Sequence, residues 1–228
     1  TTLEQRWESV EESVEEACSA AGRARSDVRV IGVSKTGGLM AVAEAIEAGI
    51  HDFGETAPMS SFASHDAFPS ENWHFIGNIQ SRQLDKVVGR ACLIHSLYQE
   101  SHADKSIDWL RGGIVQDVLI EVNDGESNKQ GVVDENLIDM LTHCAALKHV
   151  RVEAYDNGSH RRRSVARATF KRLRELRDAA QSDLAARGID MELHELSMGM
   201  SNDYSEGIGE GATMVRIGRA IFSADYAG

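Results

Sequence analysis

Apolar residues along this chain keep two alternating rhythms. Short β-branched or aromatic runs are followed by longer stretches in which apolar positions recur every three or four residues. The runs predict strands at 28–34, 50–54, 73–76, 92–95, 115–122, 149–154, 193–197 and 213–217. The helical periods predict helices at 39–48, 82–89, 98–110, 134–146, 164–187 and 202–209. A further amphipathic helix precedes the first strand, carrying Leu3, Trp7, Val10, Val14 and Cys18 on one face. Eight strands alternating with helices predict a parallel α/β architecture, a (β/α)8 TIM barrel with an extra N-terminal helix. No Pro/Gly/Ser-rich linker, repeat or low-complexity tract interrupts the pattern, so one domain is expected across 1–228.

The first strand ends in Val33-Ser34-Lys35-Thr36 and breaks at Gly37-Gly38. Barrels and open sheets assemble their chemistry at the carboxyl ends of their strands. A partly desolvated ammonium there has a lowered pKa, which frees the neutral amine to attack a carbonyl. The plainer reading of Lys35 is a surface lysine at a strand end. Near the other end of the chain, Leu193-His194-Glu195-Leu196-Ser197-Met198-Gly199-Met200-Ser201 and Thr213-Met214-Val215-Arg216-Ile217-Gly218 are apolar runs ending in small residues. Gly199 and Ser201 let backbone N–H groups and a hydroxyl approach an anion, and Ser201-Asn202-Asp203 reads as a cap for the helix that follows. In a barrel, the loops after strands seven and eight form the customary phosphate site.

Composition narrows the partners. The 228 residues are 42% hydrophobic and carry a formal net charge of −12, which argues against a nucleic-acid partner. No apolar run is long enough to span a bilayer and no signal-peptide pattern is present, so a cytoplasmic protein is expected. Cys18, Cys92 and Cys144 are read as reduced core residues, and neither CxxC nor HExxH occurs, so no metal is expected. His74 and His95 fall in or beside strands and are read as packing or supporting groups. The basic run from His160 through Arg177 is either an anion-binding patch or the solvated face of a helix; the latter fits a buried side of Val165, Thr169, Leu173, Leu176 and Ala180. The glycines from Gly207 to Gly211 precede a strand, so they read as a helix stop and turn, not a dinucleotide loop.

Four segments together carry a family resemblance: VSKT on strand one, HDFGE on strand two, WHFIGNIQS on strand three, and LSMGMSNDYSEGIGEGATMVRIGRAIF at the end. In this order they resemble the pyridoxal phosphate homeostasis proteins, relatives of the N-terminal barrel of alanine racemase. The resemblance implies a barrel that binds pyridoxal 5′-phosphate (PLP) as an imine on Lys35. It implies Ser201 and the backbone at Gly218-Arg219 on the phosphate and Arg216 toward the pyridine nitrogen, within a contact set of Lys35, Ser197, Gly199, Met200, Ser201, Arg216, Gly218 and Arg219. It further implies a non-catalytic, monomeric carrier that passes PLP to dependent apoenzymes. An amino-acid racemase and a barrel for another phosphorylated metabolite are the alternatives. The chain departs from the family pattern after Glu55, at Ile79-Gln80-Ser81-Arg82-Gln83, at Asn123-Asp124-Gly125-Glu126 and after Glu153.

Overall fold

The computed structural model describes residues 1–34, 38–56, 64–123, 131–144, 147–152 and 163–226. Lys35 and the exits of strands two, five and six therefore lie outside the described residues. Eight parallel strands close into a barrel in chain order: β1 Arg29–Val33, β2 Asp52–Glu55, β3 Asn72–Phe75, β4 Leu93–Leu97, β5 Val118–Val122, β6 Leu147–Val152, β7 Leu196–Ser197 and β8 Met214–Ile217. Register along β1 and β8 pairs Ile31 with Arg216 and Gly32 with Ile217, which closes the ring. The helices, in chain order, are α1 Leu3–Ala20, α2 Gly38–Ala48, α3 Ser81–Val87, α4 Glu100–Arg111, α5 Leu137–His143, α6 Arg163–Ala186, α7 Tyr204–Gly209 and α8 Arg219–Phe222. No helix among the described residues is long and apolar enough to cross a membrane.

The alternation of side chains along a strand divides the core in two. Outward positions such as Val30, Phe53, Trp73, Phe75, Ile120, Val150, Leu196 and Val215 join the helices in one large apolar cluster. Inward positions begin with a small separate cluster of Ile31, Leu93, Leu119 and Met214. Two residues further along β4, β5 and β8, the same inward parity places His95, Glu121 and Arg216, all buried. The barrel thus has an apolar floor and a polar layer above it, on the side of the strand carboxyl ends.

Several elements differ from the sequence reading in length. Gln116 and Asp117 lie outside β5 because Gln116 turns its amide to backbone groups of Gly89, Ala91 and Asp117. β7 contains only Leu196 and Ser197, since Leu193 is tied at its N–H to Gln181 of α6. The buried face of α6 is Ala166, Phe170, Leu173, Ala180 and Leu184, whereas Val165 is exposed. The guanidinium groups set that rotation: Arg167 and Arg174 both bridge to Glu210, and Arg172 reaches Asp134. The basic face is thereby neutralised by acids of neighbouring segments. Cys18 and Cys144 are core residues as expected, but Cys92, just before β4, is exposed.

α1 begins with a capping box in which the Gln5 N–H donates to Thr2 Oγ1 and the Thr2 N–H donates to Gln5 Oε1. Its buried Leu3, Val10, Val14 and Cys18 pack on the end of the chain. Arg6 Nε donates to the Ile221 carbonyl at 2.7 Å and Arg23 Nη1 to the Ile208 carbonyl at 2.8 Å. The N-terminal helix therefore braces α7 and α8, the two short helices that follow β7 and β8.

Candidate functional site at the strand carboxyl ends

The loops after β7 and β8 are fastened to each other. Gly199 has a φ of 109°, a region open to glycine, and a Cβ there would lie 3.0 Å from the Tyr204 Cα. Its carbonyl accepts from the Arg216 N–H at 2.9 Å, so the exits of the two strands run side by side. Ser201 Oγ accepts from the Ala220 N–H at 3.3 Å. Tyr226 Oη donates to the Ser201 carbonyl at 3.1 Å, and its ring stacks 5.8 Å from the Arg219 guanidinium. The expected cap takes a different form. Asp203 Oδ1 accepts from the Met200 N–H at 2.7 Å, so that N–H is consumed inside the turn and the carboxylate faces back along the chain.

Gly218 joins this loop pair to the first strand. A Cβ at Gly218 would meet the Val33 carbonyl at 3.2 Å, two residues before Lys35. Ser34, the last described residue before Lys35, offers its hydroxyl to the buried Glu55 carboxyl at the end of β2. Ser64 Oγ donates to the same group at 3.1 Å. Burial pushes the Glu55 carboxyl above its ordinary value, and the two hydroxyls offset part of that rise. A carboxyl with a raised folded-state pKa contributes stability below its unfolded pKa and loses that contribution as pH rises through the folded value. Glu55→Gln keeps the neutral shape at every pH. Its stability relative to wild type is therefore expected to rise from acidic toward alkaline pH, measured by denaturant unfolding at several pH values. A constant difference would contradict this.

Arg216 is the most exacting group of the site. It lies on the inner face of β8, is 4% exposed, and its Nε and Nη2 find no hydrogen-bond partner among the described residues. Buried guanidinium donors without acceptors are costly, so such a group marks a place where an acceptor belongs. Directly across the strand pair stands Gly199, whose carbonyl accepts from the Arg216 backbone N–H. Ser197, also expected in the site, is fully buried in the barrel interior and bonds His95 at 2.9 Å.

Sequence reasoning passed over Glu55, Glu121 and Arg151 as site-side groups. Glu121 and Arg151 are register partners on β5 and β6, and both are fully buried. The signal for Glu121 was a single charge inside the otherwise apolar strand VLIEV, whereas Arg151 shares LKHVRV with Lys148 and His149 and does not stand out.

A family model described as alanine racemase, N-terminal domain, matches residues 11–225. The pyridoxal phosphate homeostasis protein of Aquifex aeolicus (strain VF5) is 36% identical over 229 residues, covering 96% of this chain and 96% of that protein. The chain belongs to the pyridoxal phosphate homeostasis protein family. Among solved structures, an unknown protein from Bifidobacterium adolescentis superposes with a TM-score of 0.85 at 27% identity, over 96% of this chain and 94% of that one. PipY of Synechococcus elongatus PCC7942, with PLP bound, superposes with a TM-score of 0.78 at 25% identity, over 92% of this chain and 100% of that chain. The barrel and the resemblance inferred from the four motifs are both borne out.

Proposed function

We propose that this chain binds PLP through Lys35 and holds it for intracellular homeostasis, without substantial turnover of amino acids. The observation that carries the reading is the buried Arg216, whose Nε and Nη2 find no hydrogen-bond partner among the described residues. PLP would offer a ring nitrogen that accepts a hydrogen bond from Arg216, and an anionic phosphate for the turns at Ser201, Gly218 and Arg219. When bound, PLP supplies an aldehyde for an amine and an electron sink whose strength depends on protonation of the ring nitrogen. A guanidinium only donates, so Arg216 keeps that nitrogen unprotonated and the sink weak. The naming of the Aquifex relative and the PLP bound in PipY support the same reading.

Absence of turnover rests on a second point. Racemisation with a weak sink requires two acid–base groups on opposite faces of the cofactor. Among the tyrosines, Tyr226 is engaged with the Ser201 carbonyl and Asn202, and Tyr204 opens α7 behind Gly199. α-Proton exchange of alanine and serine in deuterated water is therefore expected to stay well below about 1 s⁻¹, the low end of ordinary turnover. Exchange above that rate would replace the carrier reading by that of a racemase. Release to an acceptor is part of the proposal: PLP-loaded protein, as a monomer, should restore activity to a PLP-dependent apoenzyme.

A further inference from the structure

Four polar side chains cross the barrel interior in an unbroken row. Asp52 Oδ1, at the start of β2, is 3.0 Å from His74 Nε2. His74 Nδ1 is 2.9 Å from His95 Nε2, and His95 Nδ1 is 2.9 Å from Ser197 Oγ. The two imidazoles and Ser197 are buried to 1% exposure or less. Asp52 is the only member reached by solvent, with its side chain 17% exposed at the amino-end rim of the barrel beside Arg29. The row thus runs from the amino-end rim to the last residue of β7, after which come Met198 and Gly199.

Proton counting gives the row a direction. An ionised aspartate only accepts, so His74 carries its proton on Nε2. Its Nδ1 is then an acceptor, which places the His95 proton on Nε2. His95 Nδ1 must in turn accept, so the Ser197 hydroxyl donates downward. We infer that Asp52, His74, His95 and Ser197 form a directed hydrogen-bond relay that fixes Ser197 as an acceptor toward the cofactor face, with His74 and His95 as positioning residues. The link to the cofactor rests on the PLP-binding reading; the direction of the relay does not.

The charged and titratable groups around the row are Arg29 on β1, 3.8 Å from Asp52, the exposed Cys92 before β4, Glu121 on β5, Arg151 on β6 and Arg216 on β8. Arg151 Nη1 also donates to the His95 carbonyl at 3.2 Å, which holds the His95 backbone in place. Packing alone would be met by apolar side chains, as on the barrel floor; a row in which each ring nitrogen has a partner is built for hydrogen-bond polarity.

The test uses the full chain without cofactor first. Nitrogen-15 spectra of the histidine rings at neutral pH should show His74 and His95 both neutral and protonated on Nε2. Either ring protonated on Nδ1, or on both nitrogens, overturns the relay. Asp52→Asn supplies an amide that donates as well as accepts, so both rings should become tautomeric mixtures; unchanged spectra would also overturn it. Ser197→Ala should alter the His95 Nδ1 signal alone. With PLP added, Asp52→Asn should shift the absorbance maximum of the loaded protein, and His95→Phe, which cuts the row without changing charge, should make that maximum indifferent to Asp52→Asn. A loaded spectrum blind to Asp52 in the intact row overturns the link to the cofactor face. Failure of wild type to take up PLP would count against the proposed function and leave the apo-protein arms standing.

Discussion

Lys35→Ala protein mixed with PLP is expected to show no imine absorbance and no adduct after borohydride, while wild type traps one PLP on the peptide containing Lys35. The reasoning starts from the strand. Val30 to Val33 are held by β8 on one side and β2 on the other, so Val33 and Ser34 stand at a fixed point at the carboxyl end of the barrel. A Cβ on Gly218 would lie 3.2 Å from the Val33 carbonyl there, and the Ser201–Ala220 contact ties the turns after β7 and β8 together. On the proposed function, the Lys35 amine captures the aldehyde and these turns take its phosphate. Removing the amine removes the covalent bond outright, an effect far larger than loss of any one hydrogen bond, each worth about 1–3 kcal/mol. Residual noncovalent PLP should remain detectable by equilibrium dialysis. A borohydride adduct of undiminished yield on another lysine would refute the assignment.

Arg216→Met should move stability and affinity in opposite directions. In the free protein the guanidinium is buried with two nitrogens unbonded among the described residues, and each unmet buried donor costs about 1–3 kcal/mol. A methionine of similar length fills the same space on the inner face of β8 without that cost. The cofactor-free variant is therefore expected to melt a few degrees higher than wild type, since about 1 kcal/mol moves a chain of this size by about 2–4 °C. Affinity for PLP should fall by roughly tenfold to a hundredfold, the equivalent of one charge-assisted hydrogen bond at about 1.5–3 kcal/mol. Thermal melts with and without PLP read both effects in one experiment. A variant that melts lower and binds PLP as wild type does would show that Arg216 serves the fold and not a ligand.

These expectations also mark what could be read from the chain alone. The eight strands were legible because each apolar run is bounded by glycine or polar residues, and the paired ends at Lys35 and at Gly199 to Gly218 carry small residues where close approach is needed. The face of α6 was misjudged by about one residue step, because Val165 and Thr169 obey helical spacing as well as Ala166 and Phe170 do. Only the partners of Arg167 and Arg174, supplied by Glu210 some 40 residues away in sequence, decide between them. The row from Asp52 to Ser197 was invisible for a similar reason. His74 and His95 each look like isolated polar residues in apolar strands, and their adjacency exists only once β3 and β4 stand side by side and the barrel closes. Glu55, Glu121 and Arg151 share that character.

The fastening between Ser201, Ala220, Asp203 and Tyr226 has a thermodynamic consequence. These bonds exist without any ligand, so the turns after β7 and β8, proposed to hold the phosphate, are already tied in one arrangement. Capture of a small anion then orders little additional chain, and the entropic penalty that opposes association is largely avoided. The accompanying change in heat capacity should be small for the same reason, because little apolar surface is newly covered. A cradle that keeps its form when empty can give up its cargo and be refilled without refolding, as a protein that stores and hands over a reactive molecule must.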